Sequence, residues 1–404
     1  MTELAVHLAG SRAGRLIQKD NGNLQFRYES GYSGPPISWA LPIQREAHPH
    51  AVCRAVFGGL LPEGDGREAL ARNLGVSAGN DYALLEEVGG DCAGAVVLLE
   101  LDADLPATPE VRWLEPGDLE GILRDLPQRP LAAAPAEGIR LSLAGAQPKT
   151  PVIIQGDRVG QPTNLAAPTT HIVKPEPEAF PGLVDNEAFC MELARAIDLT
   201  VAAVSKQQTA SGLPYLLVER YDRDLTTEPI RRLHQEDFCQ ALGVAADRKY
   251  QNEGGPGVRD AIELLRSASP APALDLPRFW ESLVFNWLIG NCDAHAKNFS
   301  LLYDTGAPTL APLYDLVSTT IYPRLTTRLA MSIDGATDLA DVTMSAWLEL
   351  AASSGLSARF ARETTTRVVD RVKAAAPLVA QQPAHDNETV QALLARIAAI
   401  DLRA

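Results

Sequence analysis

The sequence has few cysteines, no long apolar run and no excess of basic residues. Its five cysteines are far apart and form no CxxC pair, which argues against a disulfide framework and against a zinc site, and favours reduced thiols. No stretch reaches 18 uninterrupted apolar residues, so no transmembrane helix is predicted. The start of the chain, MTELAVHLAGSRAG, lacks the basic and apolar regions of a signal peptide. We therefore expect a soluble, cytoplasmic protein with no membrane partner.

The charge balance is acidic, with 36 Lys and Arg against 51 Asp and Glu, or 36 − 51 = −15. A surface of this sign disfavours direct binding to nucleic acid, because neutralising phosphates requires clustered Lys and Arg. With 404 residues and 46% apolar composition, the chain has room for two or three ordinary globular domains.

The first 138 residues read as a small α/β subdomain. Asn21-Gly22 predicts a hairpin turn between its second and third strands. The predicted strands are Leu4–Leu8, Arg15–Gln18, Asn23–Tyr28 and Ala95–Leu101. The predicted helices are Ala51–Phe57, Gly66–Leu74, Asp81–Val88 and Asp118–Leu126.

Residues 139–221 read as a strand-rich lobe and residues 222–404 as a helical lobe, which is the layout of a kinase. In the first lobe the pattern predicts strands Arg140–Leu143, Val152–Ile154, His171–Val173, Thr200–Gln207 and Tyr215–Arg220, and a helix Asp185–Leu199. In the second lobe it predicts helices Gln235–Leu242, Val258–Ser267, Leu276–Ile289, Met344–Gly355, Ser357–Ala376 and Glu388–Ile400.

The strongest chemical signal is an Asp, an Asn five positions later, and a second Asp after a short apolar run. These residues are Asp293, Asn298 and Asp315. One carboxylate can accept the proton of an attacking hydroxyl, while an amide oxygen and a second carboxylate suit magnesium. On spacing alone, a polar loop that caps a helix is the alternative.

Two further segments suit phosphate binding. Residues 142–149, SLAGAQPK, form a turn of small residues whose backbone N–H groups can approach phosphate oxygens closely. Lys174 ends an apolar strand and can neutralise phosphates, although a solvated lysine at a strand end is an equal alternative. Glu187, or else Glu192, on the following helix is a candidate partner of Lys174, although a helix cap with an acidic first turn is the alternative interpretation of Asp185-Asn186-Glu187.

Three remaining features are weaker. The segment Val218–Arg223, at the junction between the two lobes, offers backbone groups to an adenine edge, although an ordinary strand leaving the sheet gives the same pattern. His295 is a candidate base or ligand, but a single His more often holds a loop through hydrogen bonds. Lys297 is a candidate γ-phosphate contact or a surface lysine. We include His295 and Lys297 among the candidate nucleotide contacts.

Segments in order along nearly the whole chain resemble the HipA kinases, the toxins of bacterial type II toxin–antitoxin modules. The segments that carry the resemblance are SWALPIQ, LPEGDGREALARNLG, DYALLEEVGGDCAGAV, LSLAGAQPKT, THIVKPE, VDNEAFCMELARAIDL, LVERYDR, LHQEDFCQALG, NEGGPGV, FNWLIGNCDAHAKNFSLL and APLYDLVST. Departures are modest: Pro148 lacks a backbone donor, and Asn291-Cys292 stand where relatives carry smaller or hydroxylated residues.

The resemblance implies an α+β, protein-kinase-like bilobal fold with an additional N-terminal subdomain, and a serine/threonine protein kinase that uses ATP and Mg²⁺. Asp293 then matches the catalytic base, Asn298 and Asp315 the metal ligands, and Lys174 the phosphate-binding lysine. The implied nucleotide contacts are Leu143, Ala144, Gly145, Ala146, Gln147 and Lys149 for the phosphates, and Glu219 and Tyr221 for adenine. Ser142 matches a serine whose autophosphorylation expels the loop and silences the enzyme.

The resemblance also implies partners. The expected antitoxin is a helix-turn-helix protein of the HipB type, through which the chain meets DNA only indirectly. The expected target is an aminoacyl-tRNA synthetase, the glutamyl enzyme foremost, whose phosphorylation causes growth arrest and persistence. Two alternatives stay open: a non-catalytic, ATP-binding co-repressor scaffold and a small-molecule kinase of similar architecture.

Overall fold

A computed structural model describes residues 2–115, 117–304, 306–400 and 402. The predicted domain ranges also include residues 1, 116, 305, 401, 403 and 404, which lie outside the described residues. The strands are β1 Thr2–Leu8, β2 Ser11–Gln18, β3 Leu24–Tyr28, β4 Val96–Glu100, β5 Val111–Trp113, β6 Thr150–Gln155, β7 Arg158–Pro162, β8 His171–Pro175, β9 Val204–Gln208, β10 Pro214–Glu219, β11 Arg223–Asp224, β12 Arg231–Arg232, β13 His234–Asp237, β14 Ser300–Tyr303, β15 Thr309–Leu310, β16 Arg328–Ile333 and β17 Ala336–Asp338.

The α-helices are α1 His50–Gly58, α2 Gly64–Leu74, α3 Asp81–Val88, α4 Asp118–Asp125, α5 Leu183–Ala196, α6 Phe238–Ala241, α7 Val258–Ala268, α8 Pro272–Ile289, α9 Met344–Ser353, α10 Ala358–Ala380 and α11 Glu388–Ala399. Short 3-10 helices are Pro130–Ala132, Pro135–Glu137, Ala246–Arg248, Gln251–Glu253, Ala296–Asn298, Leu339–Asp341 and Pro383–His385. None of the helices in the described part of the chain combines the length and apolar character that a bilayer span requires.

The chain folds as two compact units. Unit 1 comprises Met1–Pro175, Gln207–Asp247 and Leu302–Gly306. Unit 2 comprises Glu176–Lys206, Arg248–Leu301 and Ala307–Ala404. The domain boundaries near 138 and 221 stay predictions.

Unit 1 begins with an antiparallel sheet of order β3-β2-β1-β4. The predicted Asn21-Gly22 turn is confirmed: the Gly22 N–H donates to the Lys19 carbonyl, and Gly22 has φ 81°, which suits a glycine. Leu4, Val6 and other apolar residues of the sheet are buried in one core with residues of α1, α2 and α3. This burial explains why the N-terminal segment forms a compact layer of sheet and helices.

A second antiparallel sheet of unit 1 contains the strands β5-β7-β6-β8-β10 in that order. β8 lies between β6 and β10, and its last residues are Lys174 and Pro175, which ends the ladder because proline has no N–H to donate. Val173 packs with Val152 in a small core on this sheet. The sheet therefore fixes the backbone of Lys174.

Unit 2 is rich in helices and also contains the strands β16 and β17. Trp280 of α8 contacts Trp347 of α9, with ring centroids 5.4 Å apart, and its indole N–H donates to Thr365 of α10 at 3.1 Å. α8 ends at a glycine, Gly290, whose φ of 75° is the left-handed conformation that commonly stops a helix. The chain therefore leaves α8 sharply and enters residues 291–298.

Most predicted elements are confirmed with bounds within about four residues, but two predictions are wrong. Arg140–Leu143 forms no strand, because its backbone makes a single bridge, Asp91 to Leu141. Gln235–Leu242 is not one helix: β13 comes first and Asp237 then caps the short helix α6, accepting the Gln240 N–H at 2.8 Å. The sequence pattern does not predict the strands β5, β7, β11, β12, β14, β15, β16 and β17.

A buried cluster of charged residues joins separate segments of unit 1. Asp91 pairs with Arg223 at 2.7 Å and with Arg232 at 3.4 Å. Asp222 pairs with Arg220 at 2.7 Å and with Arg223 at 3.1 Å. Burial by itself raises the pKa of Asp91, but the guanidiniums of Arg223, Arg220 and Arg232 outweigh burial and hold this pKa well below its usual range. Asp91 therefore stays ionised and ties its own turn to the end of β10.

Two buried groups on β13 respond to pH in opposite directions. Glu236 accepts hydrogen bonds from the Ser38 hydroxyl, the Trp39 N–H and the Tyr303 hydroxyl. The His234 ring lies 5.0 Å from the Tyr303 ring. Burial raises the pKa of Glu236 from 4.5 to about 7, and it lowers the pKa of His234 from 6.5 to about 4. All of these residues belong to unit 1.

We expect Asp91→Asn to destabilise unit 1 by about 3–5 kcal/mol, because it leaves buried arginines with one carboxylate fewer. The measurement is urea unfolding followed by circular dichroism. The matched control is Asp247→Asn, which removes the carboxylate of the exposed Arg54–Asp247 pair at 2.8 Å and should cost less than about 1 kcal/mol. Equal losses in the two variants would contradict this account of the cluster.

We expect Glu236→Gln to make the melting temperature fall more steeply between about pH 7 and about pH 5. In this window the folded chain keeps the Glu236 proton that the unfolded chain releases, so this group contributes more stability as pH falls. His234 has the opposite effect. As pH falls, the unfolded chain binds a proton on this histidine at a higher pH than the folded chain does, so this group contributes less stability. His234→Gln should therefore flatten the same curve, and melting curves that shift in parallel for both variants would refute the assignment.

Candidate functional site

The chain that follows α8 is held by the side chain of Asn291. Its Nδ2 donates to the Asn286 side-chain oxygen at 2.8 Å and, at 3.5 Å, to the backbone carbonyl of Asp315. Its Oδ1 accepts the backbone N–H of Asp293 at 3.2 Å. One buried amide thus links the end of α8, the predicted catalytic Asp293 and the predicted metal ligand Asp315 within unit 2.

A hydrogen bond sets the orientation of the Asn298 side-chain amide. Its Nδ2 donates to the backbone carbonyl of Asp293 at 3.3 Å, which leaves the oxygen Oδ1 as the end able to bind a cation. The N–H of His295 donates to the same carbonyl at 2.8 Å. Asp293 is exposed, whereas Asn298, His295 and Lys297 are buried. The alternative of Lys297 as a solvated surface lysine is therefore wrong.

Asp315 has φ 59°, a left-handed conformation that a residue with a side chain rarely adopts. The preceding Tyr314 donates its hydroxyl to the Lys297 carbonyl at 2.7 Å and lies 2.8 Å from the Ser300 hydroxyl oxygen. Thr319 accepts the Cys292 N–H at 3.0 Å. These contacts on both sides of Asp315 hold it beside the loop in spite of its backbone strain.

The donor set of this loop fits magnesium. Among the described residues, no group of three His, Cys, Asp or Glu side chains could hold a metal by itself. Magnesium commonly binds one or two carboxylates and takes its other oxygens from phosphates and water. Asn298 and Asp315 would supply two hard oxygens of that kind.

In unit 1, residues 142–149 form a bent loop. Gly145 has φ 103°, and its carbonyl accepts the Glu63 N–H at 3.2 Å. The Lys149 ammonium donates to the Ala144 carbonyl at 2.9 Å. Ser142 is fully buried, and its hydroxyl donates to the Leu60 carbonyl at 2.8 Å. A residue larger than glycine at 145 would be strained and would meet the Lys149 side chain.

Lys174 is buried, and in the ladder it lies opposite Leu216. The alternative of a solvated lysine at the end of a strand is therefore wrong. Burying an ammonium costs free energy unless the charge is paired, and Lys174 does interact with neighbouring groups.

The strand β10 ends at Glu219, which is exposed and lies opposite His171. Burial lowers the pKa of His171, so this ring is neutral near pH 7. The Tyr221 hydroxyl donates to the Gln235 side chain, and the intervening Arg220 belongs to the buried charged cluster. The two predicted adenine contacts, Glu219 and Tyr221, therefore flank Arg220, whose buried ion pairs hold the backbone between them.

The helix α5 carries the two glutamates proposed as partners of Lys174. Glu187 is buried, whereas Glu192 accepts a hydrogen bond from His385 at 2.8 Å, which lowers the pKa of Glu192. Glu192 is therefore engaged within unit 2, and the pairing of Lys174 with Glu187 stays a prediction.

Sequence reasoning missed the residues that support the loop. Asn291 was considered only as a departure from a family pattern, and Tyr250, whose hydroxyl donates to Asp293 at 2.8 Å, was not singled out. The short polar segment around Tyr250 gives no chemical motif by itself. Its proximity to Asp293 arises only from folding.

Comparison with known proteins gives the family. The model described as HipA-like C-terminal domain matches residues 141–376, and the model described as HipA N-terminal domain matches residues 4–99. A putative kinase of Sinorhizobium fredii, Y4mE, is 44% identical over 371 residues, covering 89% of this chain and 88% of the relative. The serine/threonine-protein kinase toxin HipA of Shewanella oneidensis is 30% identical over 401 residues, covering 95% and 91%.

A solved structure agrees with these matches. The complex of HipA, HipB and its operator DNA from Shewanella oneidensis contains a chain that superposes with a TM-score of 0.84 and 28% identity, covering 98% of this chain and 96% of that chain. The predicted α+β, protein-kinase-like fold class is thereby confirmed. The chain is therefore a member of the HipA kinase family.

Proposed function

We propose that this chain is an ATP-dependent serine/threonine protein kinase that acts as the toxin of a type II toxin–antitoxin system. The observation that carries the proposal is the linkage through Asn291, which holds Asp293 and Asp315 on one loop framework. Membership of the family supports the same activity, since the relatives are named kinases.

In the proposed reaction, Asp293 accepts the proton of a substrate serine hydroxyl as its oxygen attacks the γ-phosphorus of ATP. The bond from that phosphorus to the bridging oxygen breaks, and ADP leaves with the electron pair. Asn298 and Asp315 would hold Mg²⁺, which neutralises the phosphate charges when bound.

The resemblance to the HipA kinases supplies the nucleotide contacts in this proposal. In unit 1, Lys174, Lys149 and the backbone of Leu143–Gln147 would hold the phosphates, while Glu219 and Tyr221 would contact adenine. His295 and Lys297 would be further nucleotide contacts, with Lys297 at the γ-phosphate. The burial of Lys174 and of Lys297 supports this use, because both ammoniums are shielded from bulk water.

Ser142 is the proposed site of autophosphorylation. Its hydroxyl is buried and donates to the Leu60 carbonyl, so phosphate transfer requires this segment to leave its place. A phosphoserine carries nearly two negative charges, which the buried position beside the loop would not accommodate. The loop would then stay displaced and the kinase would be silent.

A DNA-binding antitoxin of the HipB type is the proposed partner. The related Shewanella structure, a complex of HipA, HipB and its operator DNA, supports this partner. The net charge of −15 supports indirect contact with DNA through a basic partner. An aminoacyl-tRNA synthetase, foremost the glutamyl enzyme, is the proposed target, with growth arrest and persistence as the consequence.

We expect peptide mass spectrometry after incubation with ATP and Mg²⁺ to find phosphate on Ser142 of the wild type. Asp293→Asn keeps the size of the side chain but removes the base, so transfer should slow by about 10²–10⁴-fold. Asp247→Asn, an exposed carboxylate elsewhere, is the control and should label like the wild type.

The same incubation with purified glutamyl-tRNA synthetase should place phosphate on a serine of the synthetase. If the wild type and Asp293→Asn both bind ATP but label no protein, the co-repressor scaffold replaces this proposal. Labelling of small hydroxyl compounds alone would replace it by a small-molecule kinase.

We expect the chain by itself to leave the mobility of operator DNA unchanged in a gel-shift experiment, because its net charge repels phosphates. Adding the chain to a complex of antitoxin and DNA should slow that complex further. A salt-sensitive shift by this chain without antitoxin would show direct DNA binding and overturn the indirect role.

A further inference from the structure

Tyr250 contacts the residue on which the proposed chemistry depends. Its hydroxyl donates to Oδ1 of Asp293 at 2.8 Å. Both residues belong to unit 2, although 42 residues lie between them in the sequence. The hydrogen bonds of Asp293 to Asn291 and Asn298 involve its backbone, whereas the bond from Tyr250 acts on the carboxylate itself. Tyr250 therefore contacts the group that the proposed reaction uses as its base.

The ring of Tyr250 is itself held in place. It contacts the ring of His295 edge to face, with centroids 5.5 Å apart and planes at 73°. The Lys249 ammonium lies 5.4 Å from the centroid of the Tyr250 ring, within the range of a cation–π contact. Because His295 is buried, the phenol rests on a fixed neighbour.

A tight turn sets the backbone of Tyr250. The N–H of Gly255 donates to the Tyr250 carbonyl at 2.9 Å, and Gly254 has φ 87°. A Cβ at Gly255 would collide with the Arg248 carbonyl oxygen, so the turn requires glycine at this position. These glycines lie in the segment NEGGPGV, which the proposed phosphoryl transfer does not otherwise use.

The strand β16 holds the two segments that carry Tyr250 and Asp293. The side-chain oxygen of Gln251, next to Tyr250, accepts the N–H of Ser332 at 2.7 Å and its hydroxyl at 3.0 Å. The carbonyl of Cys292, next to Asp293, accepts the N–H of Ala330 at 2.8 Å. Two residues of the same strand thus hold the neighbours of Tyr250 and of Asp293.

We propose that Tyr250 is a positioning residue for the catalytic carboxylate, holding Asp293 in the orientation that receives the substrate hydroxyl proton. A carboxylate offers about four acceptor sites, so it can keep the Tyr250 bond and accept a substrate hydroxyl at the same time. A hydrogen bond that holds the carboxylate in one rotamer before the substrate binds reduces the conformational entropy lost on reaching the reactive arrangement. This inference rests on the proposed kinase function.

The test is Tyr250→Phe, which removes one oxygen and keeps the ring contacts. We expect kcat for serine phosphorylation to fall about ten-fold or more, since a hydrogen bond to a charged group is lost. The KM for ATP should stay within about two-fold, because Tyr250 orients the base and not the nucleotide. A merely structural role would instead lower the melting temperature together with both constants.

Tyr32→Phe is the matched control. It also removes a tyrosine hydroxyl that donates at 2.8 Å, in this case to the Pro35 carbonyl in unit 1. This control should keep the wild-type kcat. Unchanged or increased kcat in Tyr250→Phe, or phosphate found on Tyr250 itself, would overturn the positioning role.

A second measurement does not depend on activity. Crystal structures of the wild type and Tyr250→Phe should show one Asp293 rotamer in the first and several, or a different one, in the second. The same single rotamer in both would overturn the inference. Wild-type protein that transfers no phosphate would overturn the proposed function, whereas the rotamer comparison would still decide the role of Tyr250.

Discussion

The candidate catalytic loop depends on one buried side-chain amide. Asn291 donates to Asn286 and to the carbonyl of Asp315, and it accepts the N–H of Asp293. An amide has both donors and an acceptor, so it can satisfy three segments at once where a carboxylate or an ammonium cannot. The sharp end of α8 at Gly290 places Asn291 where these three segments meet. A hydrophobic residue of equal size would leave their polar groups unsatisfied.

Around this amide, hydrogen bonds between side chains and backbone hold the loop, and a residue far away in the sequence contacts the exposed carboxylate. Asp315 adopts a strained left-handed backbone, which persists because Tyr314 and Thr319 fix the chain on either side. Tyr250 reaches the Asp293 carboxylate from a glycine turn that β16 also anchors. The geometry of the proposed base is therefore a property of unit 2 as a folded whole.

In unit 1, buried ion pairs hold separate segments together, as the Asn291 amide does in unit 2. The cluster around Asp91 ties the N-terminal sheet region to the strand end that carries Glu219 and Tyr221. Its buried charges contribute little net stability over an apolar core, but removing one of them is costly. The N-terminal subdomain is in this way joined to the segment proposed to bind adenine, which gives that segment a fixed backbone.

The sequence by itself determined the elements with strong periodicity, such as α5, α8 and α10, and the spacing of Asp293, Asn298 and Asp315, because both are local properties of the chain. It did not determine β7 or β13. The sequence of β13 resembles the start of a helix, but in the structure the side chains of His234 and Glu236 are both buried and hydrogen-bonded. Only the tertiary structure decided that Lys174 and Lys297 are buried and that Tyr250 meets Asp293. Burial and such contacts depend on which distant segments pack together, and no local pattern encodes that.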